Sequence, residues 1–406
     1  MYPDHISVSH PVGNPNSYNA AIAFNEVHRL SCFHTCLFGP FGLKRRYHAD
    51  LAVAKVCTHP LPEVVRLMLS YLPIKAFNGR SPTMTYWLSQ QFDKSVSRQI
   101  DKDSAVYCYE DCCLETFKRA KSLGIRRIYE LPIAHYMEGH LNLTEESRRH
   151  PTLVPMMSGL KEPASKFRRK DQELETASMI VCASNYVKRS IENHHGRITP
   201  VYVVPYGADV SVPAKVWTAG DESGPLRLLY VGMLDPRKGI HYMFEALARI
   251  DPGEYHLTLA GRWKDGFREW LDARFKVNYI HIGQMTLRDL YPIYRRNHLF
   301  LFPTLHEGFG LVLLEALASG IPVAATERCG APDIMTDGVE GFWFHSADAD
   351  SLYEMLRRAL NERRRLPEMG RAARLLAERL TWSAYRTRLA KTIFAQDGAG
   401  GAIEGV

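Results

Sequence analysis

The sequence predicts an α/β protein built on two doubly wound, mostly parallel sheets. Three observations carry this: short β-rich apolar runs alternate with helical patterns, the alternation occurs twice, and a polar stretch separates the two series. A chain of 406 residues, 46% hydrophobic and 23% charged, has the composition of an ordinary globular protein and the length of two sizeable domains.

The first series opens with a strand over Ile6–His10, a loop of Pro, Gly and Asn residues through Ser17, a helix near Tyr18–Leu30 and a strand near Cys32–Leu37. Further strands are expected near Arg127–Ile133, Met179–Ala183 and Val201–Val204. Between Ser211 and Pro225 the chain reads SVPAKVWTAGDESGP, with no apolar period, and the domain boundary is placed there. This gives domains over 1–210 and 225–380. The second series has strands at Leu226–Val231, Tyr255–Ala260, Tyr279–Ile282, Leu299–Phe302 and Pro322–Ala325, with helices at Ile240–Ile250, Leu287–Arg296 and Leu311–Ser319. Its strands are nearly all apolar, as in a sheet covered on both faces. Helical patterns at Asp350–Asn361, Leu366–Leu380 and Ser383–Phe394 precede a tail expected to be mobile.

The first ten residues lack the basic start and apolar run of a secretory signal, and no stretch reaches the ~18 apolar residues of a spanning helix. A cytoplasmic protein is expected. Eight cysteines are scattered without a CxxC pair, so reduced thiols and no metal are expected. Lys plus Arg exceed Asp plus Glu by 51 − 44 = +7, of which 26 − 20 = +6 falls before residue 211. Clusters at Lys44-Arg45-Arg46 and Lys166–Lys170 fit either a solvated face or contact with an anionic surface, such as lipid headgroups at the inner face of a membrane or an acidic glycan. Nucleic acid is not expected as a partner, because no aromatic-interleaved basic motif accompanies them.

The segment Leu299–Val323, LFLFPTLHEGFGLVLLEALASGIPV, takes a strand through a glycine-punctuated turn into a helix. Such a turn lies at the carboxyl edge of a parallel sheet, where ligands bind. Gly308 and Gly310 let backbone amides approach a ligand, and the helix opening near Phe309 and Leu311 turns its positive end toward an anion such as phosphate. Glu307 lies before the helix and Glu315 about a turn and a half into it, roughly 8 Å along the axis, within reach of one polyhydroxylated ligand. Taken singly, Glu315 also fits an exposed helix residue. The turn GMLDPRKG at Gly232–Gly239 also follows a strand and presents Arg237 and Lys238, two cations suited to a diphosphate. It is not a Walker A loop. His135 ends the run RRIYELPIAHY at a strand tip, where it can donate to a hydroxyl or a phosphate oxygen. His140, Glu138 and Glu110 are weaker candidates for the same cleft.

Together these motifs resemble the family 4 glycosyltransferases. Glu307-Gly308-Phe309-Gly310 with Glu315 reproduces the E-x7-E signature, and Glu315–Val323 continues as EALASGIPV. Val231-Gly232 with Lys238-Gly239 resembles the donor-phosphate turn, and Pro205–Asp209 resembles the PxGxD that closes the first domain. The likeness is strong from about Met179 to Phe344 and loose before it. The resemblance implies a GT-B fold, two facing Rossmann-like domains with a cleft between them, and a terminal helix over 381–395 packed back on the first domain.

It further implies a nucleotide-sugar donor in the second domain, with Lys238 on the diphosphate, Glu307 and the Phe309–Gly310 amides at the sugar, and Glu315 at the ribose. His135 would be the cleft histidine. Transfer would retain anomeric configuration without a bound metal or cofactor, onto a glycan, lipid-linked or other hydroxyl acceptor, in cell-surface polysaccharide or glycoconjugate synthesis. Two departures stand out. Met233 occupies a position where the family often has Arg, leaving Arg237 as the nearby cation. The first loop lacks paired glycines and reads Val12-Gly13-Asn14-Pro15-Asn16-Ser17, so Gly13, Asn14 and Asn16 are assigned to the acceptor side. A nucleotide-sugar epimerase and a non-catalytic nucleotide-sugar binding protein share the same plan and remain as alternatives.

Overall fold

A computed structural model of the chain describes residues 5–38, 49–51, 56–70, 82–194, 196 and 199–395. The basic cluster at 44–46 lies outside the described residues. The first sheet holds β1 (His5–Ser9), β2 (Leu30–Thr35), β3 (Val56–Thr58), β4 (Ser104–Tyr109), β5 (Arg127–Leu131), β6 (Met179–Cys182) and β7 (Val201–Val203). The second holds β8 (Leu226–Val231), β9 (Tyr255–Ala260), β10 (Tyr279–His281), β11 (Leu299–Phe302), β12 (Val323–Thr326) and β13 (Gly341–Phe344).

The first half carries helices α1 (Pro15–Glu26), α2 (Pro60–Ser70), α3 (Pro82–Ser97), α4 (Leu114–Ser122), α5 (Tyr136–Arg149), α6 (Ala164–Thr176) and α7 (Asn185–His194). The second carries α8 (Ile240–Leu247), α9 (Phe267–Asp272), α10 (Leu287–Arg296), α11 (Leu311–Ala318), α12 (Ala331–Ile334), α13 (Ala349–Asn361) and α14 (Leu366–Arg379), and α15 (Trp382–Phe394) follows.

The strand orders are β3-β2-β1-β4-β5-β6-β7 and β10-β9-β8-β11-β12-β13, and every recorded pair is parallel. Each order reverses once, between β1 and β4 and between β8 and β11, and ligands bind at such switch points beyond the carboxyl ends of the strands. Burial explains why these runs become central strands. Leu299, Phe300, Leu301 and Phe302 are all at or below 1% exposure, each side chain contributing about 1.5–3 kcal/mol by leaving water.

The first helix begins three residues earlier than its hydrophobic pattern predicts. Asn14 Oδ1 accepts from the Ser17 amide at 2.8 Å, Ser17 Oγ accepts from the Asn14 amide at 2.9 Å, and Pro15 occupies the first helical position. The cap therefore sets the start. The cysteine expectation is also corrected: Cys32 and Cys57 are joined as a disulfide with Cα atoms 6.3 Å apart, because β2 and β3 lie side by side. The other six cysteines are buried and take no part in a disulfide among the described residues.

After α14 the chain returns to the first domain. Ala208 accepts this return through its amide, which donates to Leu380 O at 2.6 Å, and a Cβ on Gly207 would come within 2.4 Å of the Trp382 nitrogen. Along α15, Arg386 pairs with Glu26 at 2.8 Å on α1, and Arg126 donates to Ile393 O at 2.9 Å. Among the described residues, no helix is long and apolar enough to cross a membrane.

Candidate active site

The turns after β8 and β11 straddle the second switch point and are stitched to each other. Asp235 caps the first turn by accepting from the Lys238 amide at 3.1 Å. Gly239 adopts a φ of +67°, and a Cβ there would stand 1.8 Å from Pro303 O, so the two loops pack backbone to backbone only with glycine. The Leu305 amide donates to Arg237 O at 2.9 Å, and Arg237 Nη1 donates to His306 O at 3.2 Å.

This packing brings the charges together. The Lys238 ammonium forms an ion pair with the Glu307 carboxylate, and Arg237 Nη1 lies 3.6 Å from Glu307 Oε2. Burial alone would push the Glu307 carboxyl up. Lys238 and Arg237 outweigh it and hold the carboxyl down at about 2. Met233 is exposed at 41%, so Arg237 is the arginine of this turn that reaches the acid.

After Glu307 the chain packs against the first domain. A Cβ on Gly308 would meet Pro132 O at 1.8 Å, and Ser184 Oγ donates to Gly308 O at 2.5 Å. Phe309 is buried, its ring 5.8 Å from that of Tyr206 and against Gly330. Gly310, at a φ of +98°, is the N-cap, so α11 opens at Leu311, four residues after Glu307. Further along α11, Glu315 accepts from Tyr294 Oη at 3.0 Å, and burial pushes its carboxyl up to about 7.

On the first-domain side, His135 caps α5 and is buried. Its Nδ1 accepts from the Met137 amide at 3.3 Å, which places the proton of the neutral ring on Nε2, as a donor. Its ring lies 4.6 Å from Tyr136 and 5.7 Å from His194. Glu138 pairs with His194 at 2.9 Å, and Glu110 pairs with Lys170 at 2.7 Å. In the first loop Gly13 takes a φ of +62°, Asn14 is occupied in capping, and Asn16 Oδ1 is buried with no hydrogen-bond partner among the described residues.

A cavity of about 260 Å³ lies between the domains, lined by Tyr136, His140, Lys166, Phe167 and Lys170 on one side and by Asp235, Arg237 and His306 on the other. His306, Asp235, Tyr136 and Phe167 were not singled out by sequence. The nearest signals were the residue flanking Glu307 and the basic cluster at 166–170. That cluster is largely turned inward: Arg169 pairs with Asp93 at 2.5 Å, Lys170 with Glu110, and Lys166 lines the cavity, leaving Arg168 exposed. Burial, reinforced by Arg237, lowers the His306 imidazole to about 3, so it is neutral at neutral pH.

Residues 215–376 match the family model for glycosyl transferases group 1. The chain carries a group 1 glycosyltransferase domain. That domain contains both stitched turns and α11. The chain is 36% identical over 292 residues to the D-inositol 3-phosphate glycosyltransferase of Corynebacterium aurimucosum, covering 65% of this chain and 66% of that protein. The first curated relatives are matched over only 33% to 55% of their own lengths. Among solved structures, sucrose-phosphate synthase from Thermosynechococcus elongatus superimposes with a TM-score of 0.71 at 16% identity, covering 98% of this chain and 100% of that one. Anabaena HepE, solved in complex with UDP, gives 0.63 at 15% identity over 96% and 100%. At these identities the likeness is one of fold, and the glycosyltransferase domain with its partner forms the GT-B arrangement.

Proposed function

We propose that the protein is a retaining glycosyltransferase, taking a sugar from a nucleotide-diphosphate donor held by the second domain and passing it to a hydroxyl acceptor held by the first. The observation that carries this reading is the convergence of Lys238, Arg237 and Glu307 with the head of α11 at one switch point, against the Pro132 carbonyl of the other domain. HepE, of the same fold, was solved with UDP and with UDP-glucose, which supports a nucleotide sugar as donor.

Breaking the bond between an anomeric carbon and phosphate builds negative charge on the leaving diphosphate. Lys238, Arg237 and the positive end of α11 supply positive potential already in place. Without donor, Glu307 occupies Lys238. With donor, the diphosphate takes Lys238, and Glu307 accepts from the sugar hydroxyls. Glu315 accepts from the ribose, and His135 Nε2 donates toward the sugar. The leaving phosphate oxygen then takes the acceptor proton as the acceptor attacks from the same face, which preserves configuration. The interdomain cavity, rimmed by Lys166, His140 and Tyr136, receives the acceptor, a glycan or a lipid-linked hydroxyl compound.

The test is incubation with a panel of nucleotide sugars and hydroxyl acceptors, followed by NMR of the product. Donor consumption only with acceptor, and unchanged anomeric configuration, is the expected result. Conversion of donor without acceptor into an epimeric sugar would replace this reading with the epimerase. Donor binding without any turnover would leave a sensor.

A further inference from the structure

Outside the cleft, a second group of ligand-type side chains sits at the edge of the first sheet. Cys32 and His34 lie on β2, and Cys57 lies on β3 with His59 just beyond its end, the same Cys-x-His spacing on two neighbouring strands. Residues two apart on a strand point to one face, and the register sets His34 opposite Cys57, so the two pairs meet. One imidazole nitrogen of His34 and the sulfurs of Cys32 and Cys57 all lie within 4.8 Å of one another. His59 Nε2 is 3.0 Å from His34 Nδ1, and both rings are only 3% exposed. A disulfide by itself makes no use of two buried imidazoles in contact at its side.

We propose that, once the Cys32–Cys57 disulfide is reduced, Cys32, His34 and Cys57 bind a divalent cation of the zinc type, and a shift of the neighbouring His59 ring, now in contact with His34 alone of the three, brings in the fourth ligand. Two thiolates and two imidazoles are the donor set of a closed, tetrahedral structural site. Two nitrogen ligands of such an ion stand roughly 3.3 Å apart, close to the spacing of His34 and His59. The second nitrogen of His59 lies 2.7 Å from Ser95 Oγ on α3, an outer partner that orients the ring. The disulfide and the metal-bound dithiolate exclude each other. A trialkylphosphine converts the disulfide into two thiols and becomes phosphine oxide, water supplying the oxygen and the two protons. Binding of the divalent ion then releases those two thiol protons.

The bound ion fastens a three-residue edge strand to β2, whose end supports the loop that follows β1. There the Cys36 amide donates to Pro11 O at 2.9 Å, and Thr35 Oγ1 donates to the same oxygen at 3.3 Å. The metal therefore sits behind the loop that carries Asn14 and Asn16, and none of its ligands lines the interdomain cavity.

The full chain, reduced with phosphine and stripped with a chelator, is titrated with Co²⁺ and with Zn²⁺. The expected result is about one ion per chain, a thiolate-to-cobalt charge-transfer band, and shielding of Cys32 and Cys57 from alkylation when Zn²⁺ is bound. In Cys57→Ser and His59→Asn the affinity falls by roughly tenfold or more. Binding below about a tenth of an equivalent, metal uptake without the thiolate band, or undiminished affinity in Cys57→Ser overturns the proposal. If Cys57→Ser does not fold, alkylation of the wild-type chain decides alone, and equal labelling of Cys32 and Cys57 with and without Zn²⁺ overturns it.

Discussion

The two domains share a sheet order but build their sides of the cleft differently. In the second, each element of the site follows its strand at once: β8 leads to Arg237 and Lys238, and β11 leads to Glu307, Gly308 and the N-cap Gly310. In the first, the rim comes from the sides of two helices and not from strand-end turns, with Tyr136 and His140 from α5 and Lys166, Phe167 and Lys170 from α6. The second domain's cations are poised at its turn against one acid. Those of the first are divided between internal pairs with Asp93 and Glu110 and the cavity wall. A local motif suits a constant ligand part such as a diphosphate, and a rim of dispersed residues suits a variable one.

The sharpest way to break this contrast is Lys238→Ala. Loss of leaving-group stabilisation costs about 3 kcal/mol, roughly a hundredfold in kcat, with a smaller change in donor KM. A wild-type kcat under saturating donor would remove the lysine from the chemistry. Next is Gly308→Ala, where the new methyl would strike Pro132 O across the domain boundary. Overpacking of about 1–3 kcal/mol is expected, read as a lower melting temperature and a cleft that no longer closes in small-angle scattering.

Glu315 sharpens the comparison through pH. Its carboxyl is raised to about 7 by burial, so ionising it costs the folded state stability as pH climbs from the ordinary carboxyl value through 7. The carboxylate is the better acceptor for ribose hydroxyls. Nucleoside diphosphate affinity should therefore rise with pH until about 7 and then level, and in Glu315→Gln that slope should vanish in calorimetric titrations across the range. The smallest effect belongs to the dispersed rim. Lys166→Ala should raise acceptor KM a few-fold and leave donor affinity unchanged, measured by initial rates with each substrate varied in turn.

Much of the second domain was legible in the sequence because its signals are local. The helix predicted at Leu287–Arg296 and the strand at Leu299–Phe302 appear with those bounds, since strong apolar periodicity and flanking turn residues fix them. The helix predicted near Tyr18–Leu30 shifted to Pro15–Glu26, because a side-chain cap outweighed the hydrophobic pattern. The central strand β4, Ser104–Tyr109, was not singled out, although all six residues are buried. His306 escaped notice because it carries no motif of its own. Its place on the cavity comes from packing against Gly139 on the other domain, where a Cβ would meet its Nε2 at 3.1 Å.

The chain's own order of residues determined the twofold α/β alternation and the placement of Lys238, Glu307 and Glu315 on turns and a helix that follow strands. These depend on spacing within a few turns of backbone, which sequence records directly. Only the tertiary structure decided that Lys238 meets Glu307 across 69 positions of chain, that Gly308 backs onto Pro132, and that Lys166 and Lys170 of the basic run line the cavity. Those contacts arise where two parallel sheets reverse their strand order and one domain closes on another, so they depend on packing between distant segments, which no local pattern encodes.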